Sequence, residues 1–155
     1  MAITEGYTLN HGLAYAGMVA DAEVNNTVTR LNKTGAPIPY GRFVSTVDFN
    51  AMKLAAAGDV IAGVTRRQLD HATPSNGAFA IQDKADGGVL TMGAIWVEAG
   101  EVFAAGDLVK AEVTVGANQG KAIKATDETD ALPDAVVTGY YADKQLVQIS
   151  LKIGG

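Results

Sequence analysis

Apolar residues in this chain come in short runs that glycine, proline, asparagine or aspartate repeatedly interrupts. The longest apolar stretch, 12–20, spans nine residues and itself contains Gly12 and Gly17. A helix that buries one face usually needs at least about ten residues, so the pattern favours strands joined by tight turns. The segments 43–47, 60–65, 89–97, 108–115, 136–141 and 146–153 read as strands. The last alternates: Val147, Ile149, Leu151 and Ile153 fall on one face, and Gln148, Ser150 and Lys152 on the other. One face of that strand is therefore core and the other is wet. About eight to ten short strands at this spacing specify an all-β fold, an antiparallel β-sandwich or barrel.

Between the strands the local chemistry is specific. Pro37-Ile38-Pro39-Tyr40-Gly41-Arg42 cannot sit inside a helix, because each proline fixes its own φ and drives the preceding residue towards extended geometry. Residues 51–57, Ala-Met-Lys-Leu-Ala-Ala-Ala before Gly58, have helical propensity and predict at most one short helix or turn. The stretch 79–83 is expected to pair with 89–97 as a hairpin, turning through Lys84-Ala85-Asp86-Gly87-Gly88. Ala56-Ala57-Gly58-Asp59 is echoed by Ala104-Ala105-Gly106-Asp107, a repeated turn before an apolar strand. Residues 1–34 are polar and weakly patterned, with short strands conceivable at 18–20 and 28–31. They read as an extended N-terminal arm or partly ordered segment, and 35–155 as a single β-sandwich domain.

The 155 residues suit one domain, and a net charge of −5 argues against both nucleic acid and an anionic membrane surface as partners. The absence of cysteine excludes disulfides and thiolate chemistry, and two histidines leave little for acid–base work. No basic, apolar leader precedes the chain's first strands, and no run approaches the ~20 residues of a membrane helix. Gly116-Ala117-Asn118-Gln119-Gly120-Lys121-Ala122 is one residue short of a phosphate-binding loop and lacks its hydroxyl, so it reads as a hairpin turn. His11 and His71 each lack a neighbouring partner, and Ser75 lies in a turn. Asp127, Glu128, Asp130 and Asp134 lack calcium-loop spacing and read as a solvated acidic loop. Arg66-Arg67 is either a solvated pair or a contact for an anion or an acidic patch on a partner. Trp96 reads as a core anchor, whereas one of Tyr140 and Tyr141 should be exposed or at an interface. No catalytic, cofactor or metal site emerges.

Gly35-Ala36-Pro37-Ile38-Pro39-Tyr40-Gly41-Arg42-Phe43-Val44, followed by Val60-Ile61-Ala62-Gly63-Val64-Thr65-Arg66, resembles the small cement, or decoration, proteins of tailed-bacteriophage capsids. The segments 93–97, 105–109, 136–140 and 146–151 continue the likeness. The resemblance implies a jelly-roll-like β-sandwich on the outer capsid surface of the virion, made in the bacterial host cytoplasm. It implies two partners, the major capsid protein and further copies of itself in a dimer or trimer. It implies reinforcement of the head against packaged DNA, with no cofactor.

Candidate contact residues are Pro37, Pro39, Tyr40, Arg42 and Phe43 in the proline-fixed segment, Tyr7 and Tyr15 in the arm, and Arg66 and Tyr141. Extended, proline-fixed geometry costs little ordering entropy, and Tyr and Arg are favoured at binding hot spots. For Tyr40 and Phe43 the competing reading is core packing. Rival functions are a carbohydrate-binding or adhesin-like virion module, a head-completion or tail protein, and a small β-fold hydrolase.

Overall fold

A computed structural model describes residues 14–21, 24–68 and 79–153. Among them the chain forms β1 (Asn26–Asn32), β2 (Ile38–Pro39), β3 (Phe43–Thr46), β4 (Ala51–Leu54), β5 (Ile61–Thr65) and β6 (Ala80–Ile81). There follow β7 (Asp86–Glu98), β8 (Val109–Ala111), β9 (Ala122–Lys124), β10 (Ala135–Tyr141) and β11 (Leu146–Lys152). The fold is all-β, as the short runs imply. A single 3-10 turn, Ala142–Lys144, joins β10 to β11.

The main sheet runs β1-β4-β3-β5-β7-β11-β10, and a further β1–β7 pairing closes its first five strands on themselves. Closure removes the open edge of β1, whereas β10 remains the terminal strand of the sheet. The 13-residue β7 is shared. Its first half pairs with β1 and β5, and its second half, Met92 to Glu98, pairs with β11. The β8–β9 hairpin is tied to this sheet by bridges from Ala99 to Ala122 and from Leu108 to Val136. One pair departs from the antiparallel expectation: β1 and β4 run parallel, with Leu31 opposite Ala51.

Two cores result. One gathers Phe43, Val64, Leu90, Ile95, Val97, Val147 and Ile149, and the other Ile38, Tyr40, Val44, Met52, Ile81 and Val89. Neighbours on a strand face opposite ways, so Phe43 and Val44, like Val89 and Leu90, serve different cores, and all four are fully buried. Each such side chain contributes about 1.5–3 kcal/mol through burial. The clean alternation of β11 is realised, with Val147, Ile149 and Leu151 buried and Lys152 exposed.

Three local expectations are corrected. Residues 51–54 form β4 rather than a helix, because Ala51 and Met52 are fully buried on the sheet and Val47 N–H closes onto Ala51 C=O at 3.0 Å. Burial there overrides helical propensity. The hairpin of 79–83 with 89–97 does not form, since β6 pairs with β2 instead. Buried Asn32 diverts the chain: its Nδ2 donates to Ile81 C=O and Gln82 C=O, and its own C=O accepts from Lys84 N–H at 2.7 Å. The positive φ of that turn is at Lys84 (63°), and Asp86-Gly87 begins β7. Trp96 is only half-buried, because Ile95 and Val97 take the core-facing register.

The two Ala-Ala-Gly-Asp segments form the same turn. Asp59 N–H donates to Ala56 C=O and Asp107 N–H to Ala104 C=O, each at 3.1 Å, with Gly58 and Gly106 at positive φ. Asn26–Asn32, inside the stretch read as an arm, is a strand of the closed sheet. Ahead of it, Gly17 and Ala20 N–H donate to Trp96 and Ala94 C=O of β7.

Candidate interaction surface

The proline-fixed segment is buried from Tyr40 onward and at Ile38. Ile38 is buried opposite Ile81, and Pro39 C=O accepts from the Thr65 hydroxyl at 2.8 Å. Tyr40 is buried, with its hydroxyl donating to Gln68 C=O at 3.3 Å. Gly41 (φ 69°) packs backbone to backbone on Gly17, where a Cβ would stand 2.6 Å from Gly17 N. That approach is open only to glycine.

Arg42 is 8% exposed. Its Nε donates to Glu98, and its Nη1 donates to Ala117 C=O at 2.9 Å and Gln119 C=O at 2.7 Å. The guanidinium thus links β3, the end of β7 and the 116–120 turn, and its charge is matched by a carboxylate and two carbonyls. Phe43 is fully buried. Tyr40, Arg42 and Phe43 are therefore corrected as contact residues, because neighbours within the chain occupy their side chains. Pro37 stays exposed and Pro39 half-buried.

The other expected residues divide. Tyr7 lies outside the described residues, as do His11, His71 and Ser75. Arg66 is exposed, and Tyr141 is half-buried. Tyr140 packs against the core beside Phe103, ring centroids 6.4 Å apart. Tyr15 is 40% exposed and organises a cluster that sequence spacing does not reveal. The Arg67 guanidinium lies 4.4 Å from its ring centroid and 5.2 Å from that of Phe79, and Lys144 Nζ lies 4.0 Å from the Tyr15 ring. Residues 15, 67, 79 and 144 meet only through tertiary contacts.

A second missed feature is Phe49, 89% exposed on the β3–β4 turn beside exposed Val47. The Arg30 Nη1 donates to Phe49 C=O at 2.6 Å and steadies the tip. Its one legible signal is an aromatic residue between Asp48 and Asn50, where a turn is usually polar.

The acidic loop is ordered by its own carboxylates. Asp127 accepts from the Thr129 hydroxyl at 2.6 Å and from Asp130 N–H at 3.0 Å, and both bonds hold its carboxyl below the usual range. Asp130 is lowered by Lys110, at 2.5 Å, and by Thr126 N–H. Among the described residues no group of three or more His, Asp or Glu converges in metal-binding geometry. The 116–121 segment connects β8 to β9 as a hairpin loop.

The fold is a closed β-scaffold with Phe49 protruding at one turn and a cationic cluster around Tyr15. The sequence matches the family described as structural cement protein (E217 gp24/Pam3 gp6) over residues 3–152, so the chain belongs to that phage cement family. Among solved structures it is similar to a chain in the capsid of Myoviridae phage XM1. There the TM-score is 0.72 at 21% identity, covering 97% of this chain and 98% of that one. It is also similar to the N base of the head fiber gp8.5 of bacteriophage phi29, with TM-score 0.52, 13% identity, and 83% and 95% coverage. No significant match occurs among curated proteins. At these identities the structural likenesses carry the fold. Family membership makes the chain a structural virion protein associated with capsid proteins, and not an enzyme.

Proposed function

We propose that this protein binds the outer surface of an assembled phage capsid as a dimer or trimer. There it bridges neighbouring major capsid subunits and stabilises the DNA-filled head. The supporting observation is the cement-family match across residues 3–152. A closed β-scaffold that presents Phe49 and Val47 on its surface suits that role. Protruding aromatics fill pockets on a partner, and a pre-ordered scaffold loses little entropy when it docks. Pro37, Pro39, Arg66 and Tyr141 supplement these contacts, and the segment ahead of residue 14, including Tyr7, lengthens the grip.

Millimolar contacts, about −4 kcal/mol each, become durable when one rigid oligomer engages several fixed subunits. Binding the assembled lattice in preference to separated subunits lowers the free energy of the closed shell. The test is thermal release of DNA from particles lacking the protein, before and after it is added back. Addition should raise the release temperature. An unchanged release temperature at full occupancy would refute stabilisation, and failure to occupy the particles would refute docking.

A further inference from the structure

The cations of this chain are unevenly matched. Of twelve Lys and Arg residues, five form ion pairs among the described residues: Lys33, Arg42, Lys53, Lys110 and Lys124. Among the described residues the remaining seven, Arg30, Arg66, Arg67, Lys84, Lys121, Lys144 and Lys152, pair with no carboxylate, although acids outnumber bases in the chain. Four of these seven, Arg66, Arg67, Lys121 and Lys144, border depressions beside Tyr15. One depression of about 370 Å³ is lined by Tyr15, Arg66 and Arg67, and another of about 230 Å³ by Tyr15, Lys121 and Lys144. Glu98, which also borders the second depression, is already engaged by Arg42.

The arrangement is built rather than loose. Arg67 N–H donates to Gly17 C=O at 2.7 Å, which fixes its backbone, and the Tyr15 and Phe79 rings flank its guanidinium. Lys144 Nζ donates to Ala14 C=O at 3.1 Å and sits over the same Tyr15 ring. The planar N–H fork of a guanidinium matches a carboxylate in a bidentate pair. Collecting like charges without a counter-ion costs stability, and an external anion would relieve that cost.

We propose that the Tyr15 cluster receives a carboxylate-bearing, acidic segment of the shell protein. Arg67 makes the bidentate contact, and Arg66 and Lys144 neutralise flanking charge. This rests on the docking reading above and names the chemistry of one contact within it. A protein with net charge −5 meets an acidic partner unfavourably in most orientations, so a local cationic cluster sets the register. The chain's own acidic loop is the poorer occupant, because Asp127 and Asp130 are committed to Thr129 and Lys110. Nucleic acid is disfavoured by the same net charge and by the small extent of the cluster.

The test compares wild type, Arg67→Ala/Lys144→Ala and Arg67→Lys for occupancy of cement-free shells between about 0.05 and 1 M salt, over which the Debye length falls to about 3 Å. Thermal melts first establish that each variant is folded. The double variant should bind about tenfold more weakly at low salt, with the gap closing at high salt. Arg67→Lys should fall between, since it keeps the charge but loses the planar fork. Equal binding by a folded double variant would overturn the assignment while leaving docking intact, whereas failure of wild type to bind would overturn the docking reading itself. Loss of self-association by the double variant in solution would reassign the cluster to a second copy. Retention of a double-stranded DNA fragment by wild type alone would reassign it to phosphate.

Discussion

Arg42 and Glu98 form an ion pair that fastens β3 to the end of β7, with the Arg42 side chain 10% exposed. Two further Arg42 bonds reach Ala117 and Gln119, so one side chain holds three elements that are distant in sequence. This explains why an arginine in a proline-fixed loop is not a surface contact. Its five donors fit the carboxylate and carbonyls that the fold gathers around it.

Truncating Arg42 to Ala should therefore damage the fold. It strands Glu98 and frees two carbonyls, at a cost near the low end of the roughly 3–5 kcal/mol for breaking a buried pair, since Glu98 keeps some solvent. Glu98→Gln preserves an acceptor and should cost less. Chemical denaturation measures both. An Arg42→Ala protein as stable as wild type would show that the pair is idle.

Gly63 lies where β5 crosses β7. A Cβ there would stand 2.3 Å from Leu90 C=O, and the residue's φ is 152°. Gly63→Ala should lose at least about 2 kcal/mol, since both backbone geometry and packing oppose it. Gly35→Ala is the control. It meets nothing within 4 Å and bears only the strain of φ 78°, so it should cost clearly less in the same measurement.

Acid should weaken the β8–β9 region first. Asp107 is lowered by the Ala104 N–H and Lys124, Glu112 by Thr114, Asp127 by Thr129 and Asp130, and Asp130 by Lys110. A carboxyl with a lowered folded pKa contributes stability above its unfolded value and loses it as pH falls through the folded one. Stability should thus hold down to about pH 5 and decline below roughly pH 4. The effect is modest because these groups are solvated. Asp107→Asn and Asp130→Asn should flatten the decline in a pH series of thermal melts. An unchanged slope would mean that these bonds do not persist in solution.

Much of the fold is legible in the sequence because burial writes itself as period-two alternation, as in Val147, Ile149 and Leu151. Legibility fails where tertiary contacts decide. The Ala-rich 51–57 segment has the propensity of a helix, and only burial of Met52 against the sheet makes its first part β4. The turn after Ile81 carries an Asp-Gly signal, yet Asn32 on another strand sets its course. At the surface the same limit applies. Tyr40, Arg42 and Phe43 have the residue types of a binding site, and residue type cannot distinguish a buried arginine from an offered one. The Tyr15, Arg67, Phe79 and Lys144 cluster joins four separate segments, so no spacing announces it.

Phe49 offers a clean separation of binding from folding. It is 89% exposed, so Phe49→Ser should change stability by no more than about 0.5 kcal/mol. If it fills a pocket on the shell, affinity should fall at least about tenfold, as for a truncated hot-spot aromatic. Titration of cement-free shells with the variant reads this. Undiminished affinity would remove the β3–β4 tip from the contact surface.

Image reconstruction of shells with and without the added protein is the decisive measurement. Docking requires extra density on the shell exterior, repeated over the lattice, with each copy or oligomer touching at least two major capsid subunits. Density confined to a single vertex, lying inside the shell, or resting on one subunit alone would contradict a bridging cement.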